Sequence, residues 1–407
     1  MKKFFLSLSC SALLAFACNE KNDDNTPKVE INCSDTPALC QLNEANNDFG
    51  FRLFRTLCQN DPQANHFISP LSVAAALAMA LNGADTETAQ EIRQTLALQG
   101  FTLLEANEAY RLPLKAFPQL DPKTKVLVAN SLWYSQDFAI RPGFVSTLEE
   151  YFLAQTMALD FRNPQSKDQI NDWVKTQTQN LISKIVEEIR PEHVAFLINA
   201  VYFEGLWRKP FDPKHTADAA FQNQDNSVAN VNMMRSMTPR TTPYFYHEKF
   251  SMADLAYGDS TYSMTILLPH PDVAINQVVE MLESGKWNAW IKALQPVDLL
   301  IEIPRFELEY EKELKDALMQ LGIQRAFSET NADFSRLSES DRVFISNVKH
   351  KSVIKVEEKG TQAAAVTSVE IVNTSLPPSM TLDRPFLLAI RERSGGAVLF
   401  LGKVAKL

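Results

Sequence analysis

The stretch from Glu357 to Pro378, EEKGTQAAAVTSVEIVNTSLPP, constrains this chain more than any other. Thr361, Ala363, Ala365, Thr367, Val369 and Ile371 make one small or apolar set, and Gln362, Ser368 and Glu370 fall in the alternate set. Period two with one apolar face describes a half-buried strand. The run nevertheless opens on Gly360 and three alanines, all weak strand formers. It reads as a segment able to be a strand without always being one. An ordinary edge strand leading into a proline-rich turn is the plainer alternative.

A length of 407 residues allows one large or two ordinary domains. With 45% apolar and 22% charged residues the chain has the composition of a globular protein with a large core. The net charge of −9 argues against a nucleic-acid-binding surface. Catalytic signatures are missing from the sequence: there is no HExxH, GxSxG or Gly-rich phosphate loop, and no CxxC or Cys–His metal spacing. Glu357 and Glu358 are neighbours, so on a strand they point to opposite faces and make a poor acid/base pair. The sequence therefore predicts no enzyme, no cofactor and no metal.

Residues 1–17 read as a secretory signal, with Lys2 and Lys3 ahead of an apolar run that is too short to span a membrane. The exit LAFAC resembles the lipobox of bacterial lipoproteins with Cys18 as the lipidated residue, although Ala15 stands where that pattern prefers leucine. NEKNDDN after it resembles an acidic lipoprotein export signal. A plain cleaved signal with Cys18 incidental is the alternative. Residues 18–43 are polar, hold Pro27 and Pro37, and read as a tether. Cys33 and Cys40 lie close enough there to pair in an oxidising exterior, or to stay free. Cys58 reads as a buried hydrophobe.

The folded body is expected to start near Glu44. Phe49, Leu53, Phe54 and Leu57 recur at helical spacing. Ser69 reads as an N-cap with Pro70 at the first helical position, opening a helix apolar nearly all round that Gly83 ends. A further helix is expected near Thr88, whose spacing to Glu91 suits a capping box. Val126–Tyr134 reads as a strand, Gln169–Val186 as a helix, Val297–Phe306 as a strand and Glu311–Gly322 as a helix. The C-terminal strands are joined by a Gly395–Gly396 turn.

EEKGTQAAA, the β-rich run after it and SLPP resemble the hinge and reactive-centre loop of the serpins, protease inhibitors that fold their own bait loop into a sheet. Other segments resemble that family in its order: SPLS at 69–72, FLINAVYFEGLWRKPF at 196–211, ADFSRLS at 332–338 and ISNVKHKSVIKVE at 345–357. The resemblance covers residues 44–407 as a single domain. It implies an α+β fold, a large central and mostly antiparallel sheet with surrounding helices and an exposed reactive loop at about 358–378.

Residue by residue, the resemblance implies a hinge at Glu358, Gly360, Thr361, Gln362, Ala363, Ala364 and Ala365. The family's spacing puts the reactive bond at Thr374–Ser375. Trp207, Arg305 and Glu358 become top-of-sheet contacts, with Arg305 paired to Glu358. Ser69, Ser72, Asn199 and His350 become a sheet-centre cluster, His350 bonding to Ser69, Ser72 or Asn199.

The implied function is irreversible trapping of serine, and by extension cysteine, endopeptidases. Small and branched residues around the bond suit elastase-like, subtilisin-like or papain-like partners. They do not suit trypsin, because no Lys or Arg lies between Gly360 and Thr374. The expected molecule is a monomer with no nucleic-acid partner, touching a membrane only through its N-terminal lipid. It would be exported, either as a bacterial outer-membrane or cell-surface lipoprotein or into the extracellular space. Two rivals from other classes are a non-inhibitory carrier or chaperone of the same fold and a surface-displayed protease substrate.

Overall fold

The computed structural model describes residues 31–190, 192–339, 343–360 and 378–407. Cys18 and the loop residues Thr361, Gln362, Ala363, Ala364, Ala365, Thr374 and Ser375 lie outside the described residues. The helices are α1 (Pro37–Asn60), α2 (Pro70–Gly83), α3 (Thr86–Thr95), α4 (Leu103–Ala116), α5 (Pro142–Phe152), α6 (Gln165–Gln177), α7 (Ile275–Val279), α8 (Ser284–Ala293) and α9 (Lys315–Gln320). The strands begin with β1 (His66–Ile68), β2 (Thr124–Ser135), β3 (Gln155–Leu159), β4 (Ala195–Gly205), β5 (Ala217–Gln222), β6 (Val228–Arg235), β7 (Arg240–Tyr246) and β8 (Phe250–Ala256). They continue with β9 (Tyr262–Pro269), β10 (Gln295–Pro304), β11 (Phe306–Glu313), β12 (Lys349–Val356), β13 (Ser379–Thr381), β14 (Phe386–Glu392) and β15 (Val398–Val404).

One sheet runs β1-β15-β14-β9-β8-β7-β10-β6-β5, with β13 alongside β10 in parallel. A second block is β3-β2-β4, with β2 parallel to β3 and antiparallel to β4. A third is the antiparallel pair β11–β12, in which Phe306 lies opposite Val356. Among the described residues no ladder joins β4 to β12. The two blocks meet through the bridge between Leu206 and Gly360.

Helix α2 locks these layers together. Its sequence PLSVAAALAMALNG has almost no polar face, so it is stable only where protein surrounds it. It packs on β4 from one side and β15 from another. Helix α1 crosses close by because Gly50 has no side chain: a Cβ there would come within 2.5 Å of the Pro70 Cβ. Ser69 caps α2 as the sequence predicts, its hydroxyl accepting from the Ser72 N–H.

Several boundaries differ from the sequence expectations. Helix α1 starts at Pro37, not near Glu44, and buries Leu39 and Leu42, so the end of the expected tether is part of the core. A disulfide between Cys33 and Cys40 ties the preceding turn to its first turn. Replacing Cys33 with serine should cost about 2 kcal/mol, the loop-closure value for so short a ring. Amide exchange should then rise first along Leu39–Leu42, and unchanged protection there would show that the bridge adds nothing.

Helix α3 is capped by Asp85, whose carboxylate accepts from Thr86 N–H. Thr88 is buried and takes the Asp333 N–H, while Glu91 accepts from the amides of Gln324 and Arg325, so the expected capping box does not form. Helix α6 ends at Gln177, well short of Val186. The Thr178 hydroxyl bonds back to Val174 and takes the Ile182 N–H, and Gln179 and Asn180 turn the chain with φ of 51° and 68°. The expected helix from Glu311 starts only at Lys315, because FELEYEKE has period-two burial and stays in register with β12 as far as Glu313 opposite Lys349.

Candidate functional site

The site is built where β12 runs out. Glu357 and Gly360 exchange both backbone hydrogen bonds, each 3.0 Å, which closes a tight turn immediately after the strand. Gly360 has φ +123°, a conformation that L side chains rarely adopt. A Cβ at this position would lie 2.3 Å from the Gly205 carbonyl oxygen and 2.5 Å from the Trp207 nitrogen. Only glycine lets the turn sit on the end of β4.

Trp207 and Phe211 hold the turn in place. The Trp207 amide donates to the Lys359 carbonyl at 2.9 Å, and its indole Nε1–H to the Glu357 carbonyl at 2.9 Å. The Phe211 amide donates to the Glu358 carbonyl at 2.8 Å. The indole is fixed by stacking on Tyr257, with ring centroids 4.4 Å apart. These contacts fix Trp207 against the turn from Glu357 to Gly360, just beyond the end of β4.

The acid pairing differs from expectation. Arg305 bonds Glu357, Nη2 to Oε1 at 2.8 Å, and not Glu358. Register is the reason: Phe306 faces Val356 in an antiparallel pair, so the preceding Arg305 faces the following Glu357. Lys355 adds a second cation at 3.0 Å. Burial pushes the Glu357 carboxyl up, but its bonds to Lys355 and Arg305 outweigh that and hold it below the usual carboxylate range. Glu358 points the other way into the protein, where its Oε1 accepts from the Thr216 hydroxyl at 2.8 Å.

Deeper in the fold the first turn of α2 reaches both β4 and β12. The Ser69 amide donates to His350 Nε2 at 3.1 Å, and the Ser72 hydroxyl donates to the Asn199 carbonyl at 3.4 Å. Ser69, Ser72, Asn199 and His350 thus gather as one cluster, with Ser69 as the direct partner of His350. Full burial draws the His350 imidazole down to about 4, so at neutral pH it is uncharged and can accept the Ser69 proton.

Sequence reading missed Asn130, the cross-strand partner of Asn199 in β2. Its Oδ1 accepts from Asn199 Nδ2 at 2.5 Å, and its own Nδ2 donates to the Phe152 carbonyl at 2.7 Å. Asn199 Oδ1 is buried with no hydrogen-bond partner among the described residues. Only the β2–β4 register could have shown the pair, since 69 positions separate the two residues.

A tight turn latched by a tryptophan at the end of β12, beside two strand blocks that are bridged by the start of a buried helix, defines a class of protein. The family profile "Serpin (serine protease inhibitor)" matches residues 44–407, and the chain belongs to the serpin family. Members of this family are mostly protease inhibitors and not enzymes. Among its relatives is Iripin-2 of Ixodes ricinus, 34% identical over 90% of this chain and 94% of that protein. The native structure of Tengpin, a thermophilic serpin, superposes with a TM-score of 0.83 at 31% identity, covering 93% of this chain and 96% of the other. Human thyroxine-binding globulin complexed with its ligand superposes equally well, with a TM-score of 0.83 at 29% identity over 91% of this chain and 99% of that one.

Proposed function

We propose that this chain is a suicide-type inhibitor of serine endopeptidases, and of papain-like cysteine endopeptidases by the same route. A target attacks Thr374–Ser375, and the freed loop enters the central sheet and traps the acyl-enzyme. Insertion of a reactive loop is the known order–disorder switch of this family.

The observation that carries the reading is the arrangement around Gly360. The turn that precedes the loop is latched on the end of β4, while no ladder among the described residues joins β4 to β12 below it. The loop sequence supports it too, because the hinge residues Thr361 to Ala365 are neutral and none is proline. About ten new ladder hydrogen bonds, at about 1 kcal/mol net each, would supply on the order of 10 kcal/mol toward distorting a bound protease. Val372 and Thr374 suit a shallow pocket, hence elastase-like or subtilisin-like targets. Export with a lipid on Cys18 would hold the inhibitor at a bacterial surface.

The test is incubation with neutrophil-type elastase, subtilisin and trypsin, read on denaturing gels and by mass spectrometry. A covalent complex with elastase or subtilisin is expected, with a C-terminal fragment starting at Ser375 and no complex with trypsin. Cleavage across the panel without any trapped complex would overturn the reading. The likeness to thyroxine-binding globulin, a ligand complex, favours a carrier as the second reading. Under that reading the cleaved chain should gain little in melting temperature, whereas an inserting loop should raise it greatly.

A further inference from the structure

A cavity of about 270 Å³ opens beside the hinge anchors, close to the lower end of the roughly 300–1,000 Å³ of small-molecule sites. Trp207, Phe211 and Leu255 contribute apolar surface to it. Four of its lining residues are cations, Arg208, Lys209, Arg240 and Arg393, against the single carboxylate of Asp254.

That carboxylate is already shared. Asp254 is fully buried and bonds both Arg391 at 3.0 Å and Arg393 at 3.2 Å. Arg240 has no carboxylate partner among the described residues. It donates to the carbonyls of Lys209 at 2.5 Å and Pro210 at 2.8 Å, with its guanidinium 4.4 Å from the Phe211 ring centroid. Burial draws its guanidinium down to about 10, which leaves it charged at neutral pH. Among the described residues the Lys209 side chain bonds only the Thr241 carbonyl, at 3.4 Å, and the Arg208 side chain only the Gly258 carbonyl, at 3.5 Å. Asp298, close by, bonds the Thr241 hydroxyl and neutralises none of the lining cations.

Uncompensated positive charge against a low-dielectric wall concentrates the field on an incoming anion. The arginine fork matches carboxylate and phosphate oxygens, and the apolar part of the wall, to which Trp207, Phe211 and Leu255 contribute, accepts a flat apolar body. We propose that this cavity is a binding site for a small aromatic anion, with its charged head among Arg208, Lys209 and Arg240 and its ring toward Trp207 and Phe211. These two aromatics also donate the backbone bonds that hold Glu358 and Lys359, so an occupied site braces the latched hinge. The inference does not depend on protease inhibition, and its test needs no protease.

Calorimetric titration of the full chain with 2-naphthyl phosphate is the experiment, with 2-naphthol and inorganic phosphate titrated in parallel. Saturable binding of the phosphate ester is expected with Kd on the order of 100 µM, as for a ligand of its size. Both controls should bind at least tenfold more weakly. Arg208 and Lys209 are exposed, so the double variant Arg208→Gln/Lys209→Glu keeps the fold and should weaken binding at least tenfold. No saturation up to about 1 mM ester would overturn the site. So would equal binding of naphthol, equal binding of free phosphate, or undiminished binding by the folded variant.

Discussion

Lowering the pH from 6.5 toward 4 should cost the native sheet about 3 kcal/mol through His350 alone. The sign follows from the direction of the shift. Burial holds the folded imidazole down at about 4, whereas the ordinary value of 6.5 applies to the unfolded chain. Between these limits the unfolded state binds the extra proton, so stability is fully present above 6.5, falls as the pH drops, and levels out below about 4. Protonation also removes the acceptor of the Ser69 N–H, the direct bond between α2 and β12, so acid should loosen the sheet at its centre. His66, His193 and His247 are also drawn down by burial, so the comparison must be made against a variant. His350→Gln keeps a neutral acceptor and cannot titrate. Urea midpoints of the two proteins should converge as the pH falls through the window. Parallel curves would mean that His350 does not control acid sensitivity.

Gly360→Val should unlatch the top of the sheet and destabilise the intact protein by about 3 kcal/mol, the upper range for a strained backbone position. Two causes act together. Valine strongly disfavours φ +123°, and its Cβ would overlap backbone atoms of Gly205, Leu206 and Trp207, none of which can rotate away. The turn must leave β4, and the Trp207 and Phe211 amides then lose their acceptors at Lys359 and Glu358. Hydrogen exchange should rise at these two amides, with an earlier urea transition. Lys359→Ala is the control, since Lys359 contributes only its carbonyl and its side-chain change should stay within about 0.5 kcal/mol. If Gly360→Val left both the midpoint and the two amides unchanged, the latch would have no energetic role.

Local signals carried the parts of the fold that depend on near neighbours. Ser69 and Pro70 mark the start of α2 because capping and a fixed φ act within one helical turn. The apolar run after them demands burial wherever the helix lies. The Gly395–Gly396 turn between β14 and β15, and the opposed directions of Glu357 and Glu358, are likewise short-range geometry. The gathering of Ser69, Ser72, Asn199 and His350 was legible only through resemblance, since nothing in their spacing brings them together.

The remaining choices belonged to tertiary structure, because they rest on pairings between distant segments. Register between β11 and β12 gave Arg305 to Glu357, and it kept residues 311–313 in a strand where their spacing suggested a helix. Register between β2 and β4 set Asn130 against Asn199. Packing against the core drew Pro37–Asn43 into α1 and out of the expected tether. The basic cavity beside Trp207 is the clearest case, since its cations come from three separate stretches around residues 208, 240 and 393. A sequence specifies propensity and pattern at short range. Which charges meet, and which stay uncompensated, is decided only when the sheets close around them.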